Sequence, residues 1–300
     1  IGCDQDYWIV GNQSWNVGIG TTNPDPAVGV GNTAKLSVGI LSAYQLYGDG
    51  ANLSNVGFTP DAQENLYAGT NAGQNSDADT CFNIALGKNA GLNLNEGDRN
   101  VYLGCEAGEC TTSGSQNILI GDRAGKCVNG GRNILMGVQA GYNFSTGGDN
   151  IALGQYVMSS GVVTGSYNIA FGKCAGQNIS SGANNVFVGF CAGMYTGSGK
   201  CNVFAGHAAG RCVSTGNHNV AFGTFALRGS TTTSDNSGAC NIAIGNQAGL
   251  SITSGLYNTS IGFKAGAVTN ASSGRCNIFI GSYTGNKITS GCNNIGIGDY

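Results

Sequence analysis

Charged side chains are scarce in this sequence. Asp, Glu, Lys and Arg together make up 10% of the 300 residues, and the formal net charge is −3. So few cations leave no basic surface for nucleic acid. Hydrophobic residues reach 41%, so the low charge does not indicate a disordered chain. No apolar run approaches the roughly 18 residues that cross a bilayer, and no secretory signal is recognisable, so we expect no membrane insertion.

Proline is almost absent as well. The chain has only Pro24, Pro26 and Pro60, and none follows Pro60. Because proline cannot donate to a β ladder, its absence afterwards fits uninterrupted β structure over 61–300. The 53 glycines exclude long helices, since each would cost about 1 kcal/mol in a helix interior.

The residues of common active sites are missing. There are only two histidines, His207 and His218, and neither a CxxC motif nor a phosphate-binding glycine loop is present. A solvated face explains the densest acidic cluster, which comprises Glu96, Asp98, Glu106 and Glu109. We therefore predict no catalytic residue, no metal ligand, no cofactor and no enzymatic activity. A hexapeptide-repeat acyltransferase is a remote alternative, but polar stretches interrupt the aliphatic residue that such enzymes need at every sixth position.

A short repeat dominates the sequence. Each copy has an asparagine, three mostly apolar residues and a glycine, usually followed by Ala-Gly, and most successive asparagines share one interval, as Asn83, Asn100 and Asn117 do. This regular period predicts an all-β solenoid, a parallel β-roll or β-helix of about fourteen coils. Stacking would turn the asparagines into an amide ladder, which is compatible with a role in turns. The leading asparagines are Asn65, Asn83, Asn100, Asn117, Asn133, Asn150, Asn168, Asn185, Asn202, Asn219, Asn241, Asn258, Asn277 and Asn294.

The three residues between each asparagine and its glycine are nearly all apolar. The first and third would share one face of a strand, and the second would point the opposite way. A strand that is apolar on both faces is buried on both, so one face should fill the coil and the other should meet an identical chain. We assign the second position to this subunit interface, with candidates Tyr102, Leu119, Leu135, Phe187, Phe204 and Phe279. The two glycine-bearing corners of each repeat predict two short strands per coil.

The twelve cysteines follow the repeat and do not form the spacing of a small secreted scaffold. Free thiols that fill small sites are one interpretation. Disulfides between neighbouring coils, at Cys110/Cys127 and Cys174/Cys191, are the other.

Residues 1–60 lie outside the repeat and alternate short β-like runs with glycine turns, which predicts small β modules. Their segments VGIGTTNP, KLSV and GDGANLSNV resemble modules of phage tail fibres, particularly those of marine cyanobacterial phages. That resemblance implies a connector of the fibre type. Residues 61–300 would form the shaft or head, and the chain stops within a repeat at Tyr300, which predicts a fragment of a longer protein.

The repeat itself is similar to the head repeats of trimeric autotransporter adhesins of the YadA type. Both have an asparagine, an aliphatic residue, a variable residue, an aliphatic residue and a glycine, with Ala-Gly following. The resemblance implies a left-handed parallel β-roll assembled as a homotrimer. The longer period of this chain and its cysteines depart from that pattern.

The interval from Asn219 to Asn241 is longer than any other and inserts extra residues between two coils. Insertions in repeat proteins map to loops on one face, often the binding face. We predict a recognition loop here, with a tolerated surface bulge as the alternative. Its residues are Ser230, Thr231, Thr232, Thr233, Ser234, Asp235 and Asn236.

The sequence thus predicts a structural fibre protein of a virion tail that extends towards and attaches to a host cell surface. Expected partners are further copies of itself, other fibre or baseplate proteins, and a host surface glycan or protein; nucleic acid is not expected. The location would be the extracellular part of a virion. A bacterial trimeric surface adhesin, at the cell surface, is the alternative.

Overall fold

The computed structural model describes residues 60–230, 236–268 and 272–299, and two strands nearer the N-terminus. The chain separates into two units, Ile1–Ser54 and Asn55–Tyr300. In the first, β1 (Ile9–Gly11) and β2 (Val17–Ile19) pair antiparallel, with Ile9 opposite Ile19. The rest of the predicted N-terminal modules lies outside the described residues.

The second unit is a β-solenoid of about 13 turns, built on one parallel sheet of fourteen strands. Every strand is three residues long and pairs with the next strand along the chain, residue for residue, as Val186 with Val203 and Phe187 with Phe204. The predicted fold class is confirmed. The strands are β3 Leu66–Ala68, β4 Ile84–Leu86, β5 Val101–Leu103, β6 Ile118–Ile120, β7 Ile134–Met136, β8 Ile151–Leu153, β9 Ile169–Phe171, β10 Val186–Val188, β11 Val203–Ala205, β12 Val220–Phe222, β13 Ile242–Ile244, β14 Thr259–Ile261, β15 Ile278–Ile280 and β16 Ile295–Ile297.

Each coil contains one strand, so the prediction of two was wrong. The reason is the density of left-handed residues after the strand: in one coil Gly189, Cys191 and Gly193 have φ of 128°, 55° and 57°. A chain that turns at every second residue cannot be extended over this stretch, and in the later half of each described coil the pairing is limited to isolated bridges, as between Phe144 and Val163. Backbone hydrogen bonds between successive coils hold these turns instead, as from Gly193 N–H to the Ala209 carbonyl at 2.9 Å.

The middle residue of each strand points into the coil, where it fills the core of a single chain. Tyr102, Leu119, Leu135, Phe187 and Phe204 are fully buried, and Phe279 is 6% exposed. Their assignment to a subunit interface was therefore wrong. They share this core with a small buried residue seven after the asparagine, which is Ala107 in the coil of Tyr102 and Ala192 in the coil of Phe187.

The asparagine ladder is present and lies inside the coil. In a representative step, Asn202 donates its backbone N–H and its Nδ2 to Oδ1 of Asn185, at 2.9 and 3.0 Å. The Asn185 Nδ2 in turn donates to Oδ1 of Asn168 at 3.0 Å and to the Gly199 carbonyl at 2.8 Å. The backbone bond recurs at every step from Asn65 to Asn294.

The residue three before the asparagine is glycine in all repeats from Asn100 onwards, where contact and not a left-handed φ favours it. A Cβ on Gly199 would lie 2.6 Å from the Gly216 carbonyl oxygen and 3.1 Å from the Asn202 amide nitrogen. A glycine at this position leaves room for the ladder amide to reach the neighbouring backbone.

We expect Asn185→Ala to lower the free energy of unfolding by more than about 3 kcal/mol, because several buried groups lose their partner at about 1–3 kcal/mol each. Urea denaturation followed by circular dichroism measures the change. The control is Asn184→Gly, since Asn184 is exposed and its φ of 58° suits glycine. Equal midpoints for the two variants would contradict a stabilising ladder.

Phe187→Ala is expected to cost about 3–5 kcal/mol, because it removes a ring from the closed interior. Phe190→Ala, on the outside of the same coil, should stay within about 0.5 kcal/mol of the wild type. The same denaturation assay compares them. A larger loss of stability for Phe190→Ala than for Phe187→Ala would mean that Phe190, and not Phe187, lies inside the coil.

Candidate functional site

The outer face of the fourteen-stranded sheet carries two columns of apolar side chains. These are the first and third residues of β3–β16, which we call the apolar sheet face. Apart from Thr259 none of them is polar, and none is charged. The members that are 36–44% exposed are Ile84, Ile118, Met136, Phe171, Val188, Phe222, Ile242, Ile244, Ile278 and Ile280. The interface predicted for the middle residues is therefore replaced by a candidate surface on the other side of the strand.

The alternation of the strand explains this placement. The asparagine side chain is buried at the position before the strand, so the next residue points outwards, the middle one inwards and the third outwards. Thirteen steps of about 4.8 Å give the face a length of roughly 62 Å, and three residues give it a width of roughly 10 Å. An uninterrupted apolar area of roughly 600 Å² equals the largest patches of ordinary monomers, about 300–600 Å².

The inserted loop is described only at its ends. Ser230 N–H donates to Oδ1 of Asn236, and Nδ2 of Asn236 donates to the Ser230 carbonyl, both at 2.9 Å. Both residues are buried, so the insertion begins and ends at one fixed point on the solenoid. Thr231, Thr232, Thr233, Ser234 and Asp235 lie outside the described residues, and recognition by this loop stays a prediction.

The acidic cluster is partly used in ion pairs between coils. Lys126 Nζ lies 3.0 Å from Glu106 Oε2 and 2.7 Å from Glu109 Oε2, and Arg123 Nε also contacts Glu106 at 3.0 Å. Hydrogen bonds from Lys126 and Arg123 lower the pKa of Glu106. A carboxylate held ionised in this way is unsuited to donate a proton near neutral pH.

Neither a cluster of metal ligands nor a helix able to cross a membrane is found in the part of the chain that the structure describes. No group of three or more His, Cys, Asp or Glu side chains there could hold a metal ion. Nor does any described segment form a long apolar helix of the kind that spans a bilayer.

Eleven cysteines are described, and all are free thiols. The stacked pairs that could have formed disulfides are close enough to influence each other. Burial, together with a hydrogen bond to the Cys110 thiol, raises the pKa of Cys127 to about 12. Burial also raises the pKa of Cys191, which lies beside Cys174.

Comparisons with models of known protein families, with curated protein sequences and with solved structures found no match.

We expect Cys127 to react with iodoacetamide at pH 8 at least about tenfold more slowly than Cys105, because the thiolate is the reactive form and an ordinary thiol has a pKa of about 8.5. Cys105 is exposed and serves as the internal control. Mass spectrometry of peptides after timed alkylation measures both rates. Equal rates, or a Cys110–Cys127 disulfide in the untreated protein, would contradict this assignment.

Proposed function

We propose that this chain forms the shaft or head of a homotrimeric fibre on a virion tail, which extends towards a host cell and attaches to its surface. The observation that carries the proposal is the apolar sheet face, continuous through every coil from β3 to β16. A single chain in water would leave this stripe exposed along the whole solenoid.

A second and a third copy of the chain suit this face. Its roughly 600 Å² approaches the ~800 Å² that each partner buries in a standard stable interface. The face is uncharged and repetitive, so an identical face with the same rise per coil matches it coil by coil. Closed cyclic symmetry would cover the apolar sheet face of every copy to the same extent. The number three comes from the resemblance to trimeric adhesin heads.

The fold suits a mechanical role. Successive coils contact only their neighbours, so length is added coil by coil without changing the cross-section. The asparagine ladder and the backbone bonds between coils run along the axis, where they resist extension. An adhesin on a bacterial surface would use the same architecture, and the segments VGIGTTNP and GDGANLSNV favour the virion fibre over it.

We expect the wild-type protein to have three times the mass of one chain by native mass spectrometry. Val188→Glu with Phe222→Glu should reduce it to one chain, since charges in the apolar sheet face would be buried without partners. The control is Val162→Glu with Tyr257→Glu; these residues are 62% and 61% exposed and lie outside the sheet. A monomeric wild type, or a double variant that remains trimeric, would overturn the proposed assembly.

Attachment needs a separate measurement. Fluorescently labelled trimer should adsorb to some strains of marine cyanobacteria and not to others, because fibres select their host by surface chemistry. Unlabelled trimer should compete for the same sites, and the monomeric Val188→Glu, Phe222→Glu variant should compete less well. A trimer that adsorbs to no strain would limit the protein to a structural shaft.

A further inference from the structure

A cavity of about 460 Å³ opens on the side of the solenoid next to the sheet. It extends over the coils that begin at Asn168, Asn185, Asn202 and Asn219, and none of the described residues lining it belongs to the apolar sheet face. Its volume lies within the ~300–1,000 Å³ of small-molecule sites. Contact through the apolar sheet face alone would therefore not use the residues that line the cavity.

One wall of the cavity is aromatic. The rings of Phe190 and His207 stack nearly parallel, 5.3 Å apart with an interplanar angle of 6°. The Phe225 ring meets His207 edge-on at 5.0 Å. These three rings come from successive coils and form a continuous aromatic strip, whose first member, Phe190, is 48% exposed.

Two arginines also line the cavity. Arg211 and Arg228 occupy the same repeat position, nine residues after the asparagine, so their backbones are separated by only about 4.8 Å. The Nε of each is buried and has no hydrogen-bond partner. The guanidinium of Arg228 lies 5.3 Å from the centre of the Phe225 ring, and that of Arg211 lies 5.5 Å from the Tyr195 ring.

Two of the other arginines in the solenoid have carboxylate partners. Arg132 makes a two-pronged contact with Asp149, at 2.6 and 2.8 Å, and Arg123 pairs with Glu106. None of the described residues that line the cavity is acidic. Two like charges at neighbouring positions repel each other, and buried donors without acceptors are uncommon, so the pair suits an anion supplied from outside.

We propose that this cavity binds a carboxylated sugar, as a residue of an acidic polysaccharide. The guanidinium fork matches a carboxylate, with two parallel N–H···O bonds. The C–H bonds on one face of a pyranose ring are weakly positive and would lie against the negative face of the Phe190 ring that His207 does not cover. A bare phosphate would use the arginines and leave the aromatic strip without a role.

Single-stranded nucleic acid also combines stacking with cations, but it needs a basic groove that follows its backbone. Here the net charge is −3, and the only arginines or lysines among the described lining residues are Arg211 and Arg228. The sugar is therefore the better match. Such a sugar would be the host-surface partner of the proposed fibre. The sugar site rests on the proposed function only for where the sugar comes from.

Isothermal titration calorimetry of the intact chain with glucuronic and galacturonic acid tests the site. We expect saturable binding of at least one uronic acid, weakening as salt is added. Glucose, glucose 6-phosphate and oligo-dT should bind at least tenfold more weakly. Arg211→Ala with Arg228→Ala should reduce the affinity for the uronic acid at least tenfold, and Arg211→Lys with Arg228→Lys should give an intermediate loss because lysine lacks the fork.

Arg99→Ala is the matched control, because Arg99 lies 5.5 Å from the Phe82 ring in a similar arrangement away from the cavity. Its affinity for the uronic acid should equal that of the wild type. If circular dichroism shows that the double alanine variant is unfolded, the lysine pair and Phe190→Ala decide, each with an expected loss of at least threefold. Absence of uronic acid binding, unchanged affinity in the variants, or tighter binding of oligo-dT or glucose 6-phosphate would overturn the proposal.

The mass of the same sample separates this site from the proposed function. A trimer that binds no uronic acid would remove the sugar site and leave the fibre. A monomer that binds it through Arg211 and Arg228 would remove the fibre and leave the sugar site.

Discussion

The fold depends on a column of buried carboxamides. The ladder asparagines from Asn83 to Asn277 are buried within the coil, and each is hydrogen-bonded to the coils on both sides, as Asn185 is. An unpaired buried amide costs about 1–3 kcal/mol, so a coil that slipped by one residue would lose this bond and put an apolar side chain in its place. The ladder therefore sets the register of every coil, and through the alternation of the strand it decides which side chains point inwards.

The interior is narrow, and its volume is shared between neighbouring coils. Where the middle strand residue is large, the residue eight after the asparagine is glycine; a Cβ on Gly193 would lie 2.5 Å from the Phe187 ring. The two repeats that lack this glycine carry Met158 and Leu227 in the left-handed conformation, with φ of 47° and 48°. Each of these two repeats has alanine as the middle residue of its own strand and of the next strand; for Met158 these are Ala152 and Ala170. The added side chains fill space that the alanines leave, since interiors are close-packed.

The sequence carries the period, the parallel sheet and the ladder, because each is a property of a repeated column. The inward direction of the middle strand residue follows from the sequence as well. An amide ladder shielded from water lies inside the coil, and the second residue after the asparagine, Phe187 or Phe204, points to the same side of the strand. The single strand per coil was harder to predict, because about half of the left-handed positions are not glycine, as at Cys191 and Cys201. No residue type marks such positions.

The cavity could not be predicted from the repeat, because it arises where the repeat varies. The residues five, six and nine after the asparagine differ between coils. In one region they form an ion-paired cluster around Lys126, and in another they are Phe190, His207 and Arg211. The inward positions and the apolar sheet face stay nearly uniform, as a shared core and a straight contact surface both require. Stacking lets the remaining positions change without cost to the register, so neighbouring coils can combine side chains that no single repeat contains. A solenoid of this kind can therefore keep one side constant for assembly while another side is adapted to a ligand.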